Sequence, residues 1–247
     1  MPTRQRMLPL DATTPSEATT DEYLRPMRTS KSLPAVLAVL LMPFLLAACT
    51  TASSGTSEKA LAPVSNRTDV LRYSAPKGEK FDVAAVDVST IDPKYLRQLV
   101  DYPTSQPPGT VVVDPHNRFL YLVQEGSKAL RYGVGVGKEG LEFTGTANVG
   151  NKREWPRWTP TQDMIKRQPE RYQQWAGGME GGATNPLGAR ALYLFRDGKD
   201  TLYRIHGTTE PGSIGQAVSS GCIRLLNQDV IDLYNRVLPG SKVVVLP

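Results

Sequence analysis

The chain has 247 residues, 40% hydrophobic and 21% charged, with a formal net charge of +5. That length allows one fair-sized domain plus appendages. The mild basic excess comes without a Lys/Arg block or an aromatic-interleaved basic stripe, which argues against nucleic acid; it suits a surface working beside an anionic polymer or a membrane.

Residues 1–48 read as a targeting segment. Arg25, Arg28 and Lys31 precede LPAVLAVLLMPFLLAAC, a positive region followed by an apolar run ending in small residues. The run falls short of the roughly 20 apolar residues a transmembrane helix needs. Residues 1–26 are polar and too long for a normal n-region, so Met27 is the expected true start. Leu46–Cys49 resembles the lipobox of bacterial lipoproteins, which implies cleavage before Cys49 and its acylation; an ordinary secretory signal that happens to contain a cysteine is the other reading. By the same analogy Thr50, lacking the Asp that often retains lipoproteins at the inner membrane, favours the outer membrane of a Gram-negative bacterium, facing the periplasm. Lipid on Cys49 leaves Cys222 without a partner, because the chain has only two cysteines. Exported proteins usually pair their cysteines, so this thiol needs a reason.

Residues 49–70 are small and polar and read as a tether. Residues 71–107 read as an N-terminal extension. In it FDVAAVDVS alternates weakly like a strand, and DPKYLRQLVDY reads as a short helix opened by Asp92 and Pro93. Pro107, Pro108 and Gly109 mark a boundary. Residues 108–247 form the expected main domain. There TVVVD, FLYLVQ, KALRYGVGVG, ALYLF, TLYRIHG and KVVVL are short β-branched or aromatic runs, and DPHN and RDGKD are hairpin turns between them. Many short strands with few helices predict a β-sandwich or barrel. Two helices are expected, TPTQDMIKRQP capped by Thr161 and NQDVIDLYNRV capped by Asn227. A long Gly-, Pro- and Trp-rich insertion occupies 145–190; loops of that length are uncommon unless functional.

GVGKEG, residues 135–140, matches G-x-G-x-x-G, but a strand-and-turn sequence follows where a dinucleotide site needs a helix. It reads as a glycine-rich strand end. His116 falls in the DPHN turn and reads as solvated. That leaves His206, ending a strand, with Cys222 following after fifteen intervening residues. A thiolate is the nucleophilic form of cysteine, and a nearby imidazole can take the thiol proton and hold the thiolate as an ion pair. Gly221 and Cys222 can offer N–H groups to an acyl oxyanion. From the residues alone, a small buried cysteine is an equally good reading.

The stretch IHGTTEPGSIGQAVSSGCIRLLNQDV resembles the signature of the L,D-transpeptidase catalytic domain, or YkuD family: His-Gly, a spacer, then Ser-His-Gly-Cys-x-Arg. His206, Gly207, Ser219, Gly221, Cys222 and Arg224 carry it. NPLGARALYL upstream resembles the family's stretch before the histidine strand, and EWPRWTPTQDMIKR resembles many Gram-negative lipoprotein-type members. The resemblance implies a mostly β fold, an L,D-transpeptidase-type β-sandwich with one or two short helices and the long insertion loop. It implies that Cys222 is the nucleophile, His206 the base and the Gly207 carbonyl its orienting partner. It further implies peptidoglycan stem peptides as partners and cross-link formation by acyl transfer, with no cofactor or metal. Ser219, Ser220 and Arg224 are candidate substrate contacts, Arg224 equally a structural salt bridge. Ser220 stands where the family has a second histidine, which leaves the nucleophile and base in place. Trp155, Trp158 and Tyr172 either roof the cleft as a lid or simply pack the insertion. Other outcomes of the same chemistry are an L,D-carboxypeptidase and an enzyme anchoring proteins to the wall; a non-catalytic wall-binding lipoprotein is the reading from another class.

Overall fold

The computed structural model describes residues 67–138 and 143–247. The targeting segment, Cys49 and almost all of the tether lie outside the described residues. The strands are β1 (Gln98–Asp101), β2 (Val111–Asp114), β3 (Phe119–Gln124), β4 (Lys128–Gly133), β5 (Val136–Gly137), β6 (Gly145–Glu154), β7 (Arg190–Arg196), β8 (Lys199–His206), β9 (Ala217–Ser219), β10 (Ile223–Arg224) and β11 (Lys242–Val245). The α-helices are α1 (Arg67–Arg72), α2 (Gln162–Arg167), α3 (Pro169–Tyr172) and α4 (Asn227–Arg236). The fold is mostly β, as the strand pattern predicts. Among the described residues of 108–247 three short α-helices stand where one or two were expected, and α1 lies before them in the extension.

Nine strands form one sheet in the order β1-β4-β3-β2-β11-β6-β7-β8-β10, and β5 and β9 form a second, two-stranded sheet. The hairpins follow from local chemistry. Asp114 accepts from the Asn117 N–H at 2.9 Å and closes the turn between β2 and β3. Asp197 and Gly198, with φ of 51° and 73°, make the left-handed two-residue turn between β7 and β8. The large sheet curls back on itself, because Gly135, just beyond β4, exchanges backbone hydrogen bonds with Arg224 in β10 (2.9 and 2.7 Å). A Cβ at Gly135 would lie 2.5 Å from the Ser213 carbonyl, so that glycine is required by close approach. Within GVGKEG, residues 136–137 are strand β5.

The main core gathers Leu120, Tyr132, Val149, Leu192, Ile205, Ile223, Val230, Leu233 and Val243, drawn from most of the sheet and one face of α4. Val230 and Leu233 are buried at helical spacing, with Gln228 and Asp229 beside them.

The extension departs from expectation. FDVAAVDVS forms no strand but runs extended over α4, where the Gln228 Nε2 donates to the Ala84 carbonyl at 2.9 Å. DPKYLRQLVDY forms no α-helix. It makes one 3-10 turn, Pro93–Tyr95, with Asp92 accepting from the Lys94 N–H, and then β1, paired antiparallel with β4. The sheet therefore crosses the boundary expected at 107–109. Two buried polar clusters bind the extension to the domain. Tyr73, fully buried, sends its hydroxyl to both Asp229 oxygens (3.0 and 3.1 Å) and accepts from the Arg97 N–H at 2.7 Å. Glu79 takes both guanidinium nitrogens of Arg190, at 2.7 and 2.8 Å, and the Trp155 indole N–H at 3.0 Å.

The insertion is also more ordered than a loop. β6 fills residues 145–154, and α2 starts at Thr161, whose hydroxyl accepts from the Met164 N–H. At α4 the capping expectation fails: the cap position is Leu226, without a side-chain cap bond, and Asn227 is already inside the helix.

Candidate active site

β10 runs parallel to β8, with Ile223 opposite Ile205 and Arg224 opposite His206. Cys222 immediately precedes β10, two residues from Arg224, so alternation along the strand puts Cys222, Arg224 and His206 on one side. That side faces a cavity of about 630 Å³ lined by Cys222, His206, Ser219, Ser220, Arg224 and Glu210, with Trp158, Met164, Arg171, Tyr172, Trp175 and Met179 of the insertion. Trp158 and Tyr172 meet edge-on there, 6.1 Å between ring centres. Trp155 takes a different part. It turns away from the cavity and packs against Phe81 of the extension at 5.1 Å.

The imidazole of His206 is buried, and its Nδ1 lies 2.6 Å from the Gly207 carbonyl oxygen. A carbonyl can only accept, so Nδ1 carries the hydrogen and Nε2 is left as the basic nitrogen. Burial lowers the His206 pKa to about 4, with Arg224 and Arg204 adding to the effect against the Gly207 hydrogen bond. Burial also pushes the Cys222 thiol above its ordinary value, against the lowering from the Arg204 backbone and the charges of Arg204 and Arg224. Both shifts run against the charged forms of a thiolate–imidazolium pair. Low dielectric disfavours both charged forms.

The loop before the thiol is tied to itself. The Ser219 hydroxyl donates to the Cys222 carbonyl at 2.6 Å and accepts from the Gly221 N–H at 3.1 Å. The Gly221 N–H is thus held by Ser219, and Ser219 braces the loop before the thiol. Gly221, at φ 123°, sits in a backbone region that side chains rarely adopt. Ser220 is exposed at the cavity. Arg224 donates to Glu210 at 2.8 Å.

One residue at the site was missed as such. The Asn227 side chain accepts from the Ala189 N–H at 2.9 Å and donates to the Thr208 carbonyl at 3.0 Å. Only the two neighbouring glycines, at 188 and 207, hint at such a close approach in the sequence. Among the described residues, no group of three or more His, Cys, Asp or Glu is placed to hold a metal ion.

The model of the L,D-transpeptidase catalytic domain family, YkuD, matches residues 108–245. Among curated proteins, the probable L,D-transpeptidase ErfK/SrfK of Escherichia coli (strain K12) is 33% identical over 140 residues, 56% of this chain and 44% of that protein. Probable L,D-transpeptidase YcfS of the same strain is 34% identical over 140 residues, 55% of this chain and 43% of that protein. The chain thus spans less than half the length of these relatives. Among solved structures, one from Brucella melitensis described as a probable carnitine operon oxidoreductase is 54% identical. It covers 65% of this chain and 99% of its own, with a TM-score of 0.44. L,D-transpeptidase 3 from Mycobacterium tuberculosis in complex with a faropenem-derived adduct is 16% identical over 56% of this chain and 60% of its own, with a TM-score of 0.42.

Proposed function

Because the chain belongs to the L,D-transpeptidase catalytic domain family, we propose that it is a peptidoglycan L,D-transpeptidase working through Cys222 and His206. The observation that carries this is the placement of a cysteine just before one strand and a histidine at the end of the adjoining parallel strand, lining one cavity, with the imidazole fixed by a backbone carbonyl.

In this reading Nε2 of His206 accepts the thiol proton as Sγ attacks the carbonyl before the terminal D-amino acid of a tetrapeptide stem. The Cys222 N–H, beside a Gly221 N–H held by Ser219, faces the oxyanion. The C–N bond breaks, the imidazolium returns its proton to the leaving amine, and a thioester remains on Cys222. The amine of a second stem attacks the thioester, loses its proton to His206, and releases the thiol with a new cross-link. The aromatic and methionine wall of the insertion covers the cavity and excludes water, which would otherwise hydrolyse the thioester.

The partial targeting signals extend the proposal. Cleavage before Cys49 and its acylation would hold the enzyme on a membrane, the outer one by analogy, facing the periplasm and its peptidoglycan.

Incubation of the protein with purified disaccharide-tetrapeptide, followed by mass spectrometry, tests the activity. A cross-linked dimer with release of a D-amino acid is the expected product. Tripeptide alone would make the enzyme a carboxypeptidase, and unchanged substrate would sink the catalytic reading in favour of a wall binder.

A further inference from the structure

We infer that Asn227 is a positioning residue whose side-chain amide fastens together the two backbone segments that hold the His206 imidazole. The inference rests on the Cys222–His206 pairing proposed above, but not on which stem peptide or acceptor the enzyme uses.

Asn227 opens α4 five residues after Cys222, where an asparagine normally serves its own helix as a cap. Here it makes no cap bond. Both ends of its amide go elsewhere in the fold. Oδ1 accepts from the Ala189 N–H, and Nδ2 donates to the Thr208 carbonyl. Ala189 lies two residues after Leu187, whose backbone is near enough to the imidazole to favour its charged form slightly. Thr208 follows Gly207, whose carbonyl meets Nδ1. One planar amide thus ties the backbone just beyond the Gly207 support to the 187–189 segment at a set spacing.

The clamp explains two glycines. A Cβ at Gly207 would lie 2.1 Å from Asn227 Oδ1, and one at Gly188 would lie 2.2 Å from it. The glycine of the His-Gly pair is therefore needed for the asparagine to approach, in addition to offering its carbonyl to the histidine. Two backbone bonds tie the same region together, from the Gly207 N–H to the Arg190 carbonyl at 3.1 Å and from the Leu225 N–H to the His206 carbonyl at 2.8 Å. They fix where the histidine strand runs. The Asn227 amide fixes where the Gly207 carbonyl points, and with it which ring nitrogen keeps the proton. Removing the amide leaves the Ala189 N–H and the Thr208 carbonyl, both on buried residues, without this partner.

The test follows alkylation of Cys222 by iodoacetamide against pH, read by mass spectrometry of the Cys222 peptide, in the wild type, His206→Ala, Asn227→Ala and Asn227→Asp. The aspartate keeps the acceptor for Ala189 but sets a second oxygen against the Thr208 carbonyl. His206→Ala is expected to change the profile, and folded Asn227→Ala to change it in the same way. Transpeptidation should then show kcat reduced about 10- to 100-fold with little change in KM, the pattern of lost orientation. Should Asn227→Ala fail to fold, Asn227→Asp carries the decision, with the same shift expected. A folded Asn227 variant with the wild-type profile and kcat, alongside an altered His206→Ala profile, overturns the inference while the pairing stands. An unaltered His206→Ala profile overturns the pairing and the inference together.

Discussion

Arg224 reaches across the mouth of the cavity to Glu210, with Nη1 2.8 Å from Oε2, so the arginine two residues past the thiol is already paired. Glu210 also lies 4.0 Å from Arg171 on α3. The carboxylate thus stands between the strand that follows the thiol and the insertion that lines the same cavity.

Half-exposed pairs of this kind contribute about 0–1 kcal/mol. Glu210→Gln and Arg224→Gln should therefore change stability little and lower kcat/KM by similar factors, with the double variant no worse than either single one. Steady-state kinetics on the tetrapeptide check this. A KM that falls for Glu210→Gln but rises for Arg224→Gln would instead assign the arginine to a substrate carboxylate.

The directions of the Cys222 and His206 shifts set the expected pH profile. The thiol sits above its ordinary value, so alkylation should keep climbing above the ordinary cysteine range of about 8.5. His206, lowered to about 4, should remain a free base across the neutral range, and activity should fall on the acid side only near pH 4. A rate profile with its acid inflection between pH 6 and 7 would contradict this.

Gly207→Ala forces a methyl against Asn227, with the backbone on both sides already bonded. We expect kcat to fall by at least about 100-fold, because a displacement of about 1 Å at a positioned group costs that much. Kinetics beside a thermal melt would separate lost activity from lost fold.

Asp229 is fully buried, and desolvation raises its pKa to about 7, against the pull of Arg97 and the Tyr73 hydroxyl. A carboxyl raised above its unfolded value stabilises the fold fully below about pH 4, and that stabilisation is lost as pH rises through about 7. Asp229→Asn removes this dependence, so the stability gap from the wild type should narrow between pH 5 and pH 8. Urea titrations at the two pH values measure it, and a gap that widens would be the wrong sign.

Glu79 and Arg190 are both nearly buried, at 11% and 8% side-chain exposure. Removing one partner of such a pair costs about 3–5 kcal/mol, so Glu79→Ala should unfold at much lower denaturant than the wild type. A loss below about 1 kcal/mol would mean that the extension is only loosely attached.

Local chemistry made much of this protein legible. The two hairpin turns, the Thr161 cap and the β-branched runs each announce themselves within a few residues. The cysteine and histidine stood out because the chain has so few of either. What stayed hidden depends on distant partners. Gln98–Asp101 follows a Pro turn that looks like a helix start, and only pairing with β4 makes it a strand. Asn227 precedes an apolar helical run, so it imitates a cap, while its amide answers to residues 19 and 38 positions away. Trp155 looks like a cavity residue by its neighbours in sequence, yet its indole belongs to Glu79.

β11 lies fifth of nine in the sheet, between β2 and β6, yet it is the last strand in chain order among the described residues. Apart from the Gly135–Arg224 bridge, the half that holds β1 to β4 and the half that holds β6, β7, β8 and β10 are joined in the large sheet only through Lys242–Val245. During synthesis the sheet cannot close while those residues are still in the ribosome. Delayed completion of this kind leaves the unjoined edges of β2 and β6 exposed to proteases and chaperones until β11 is in place.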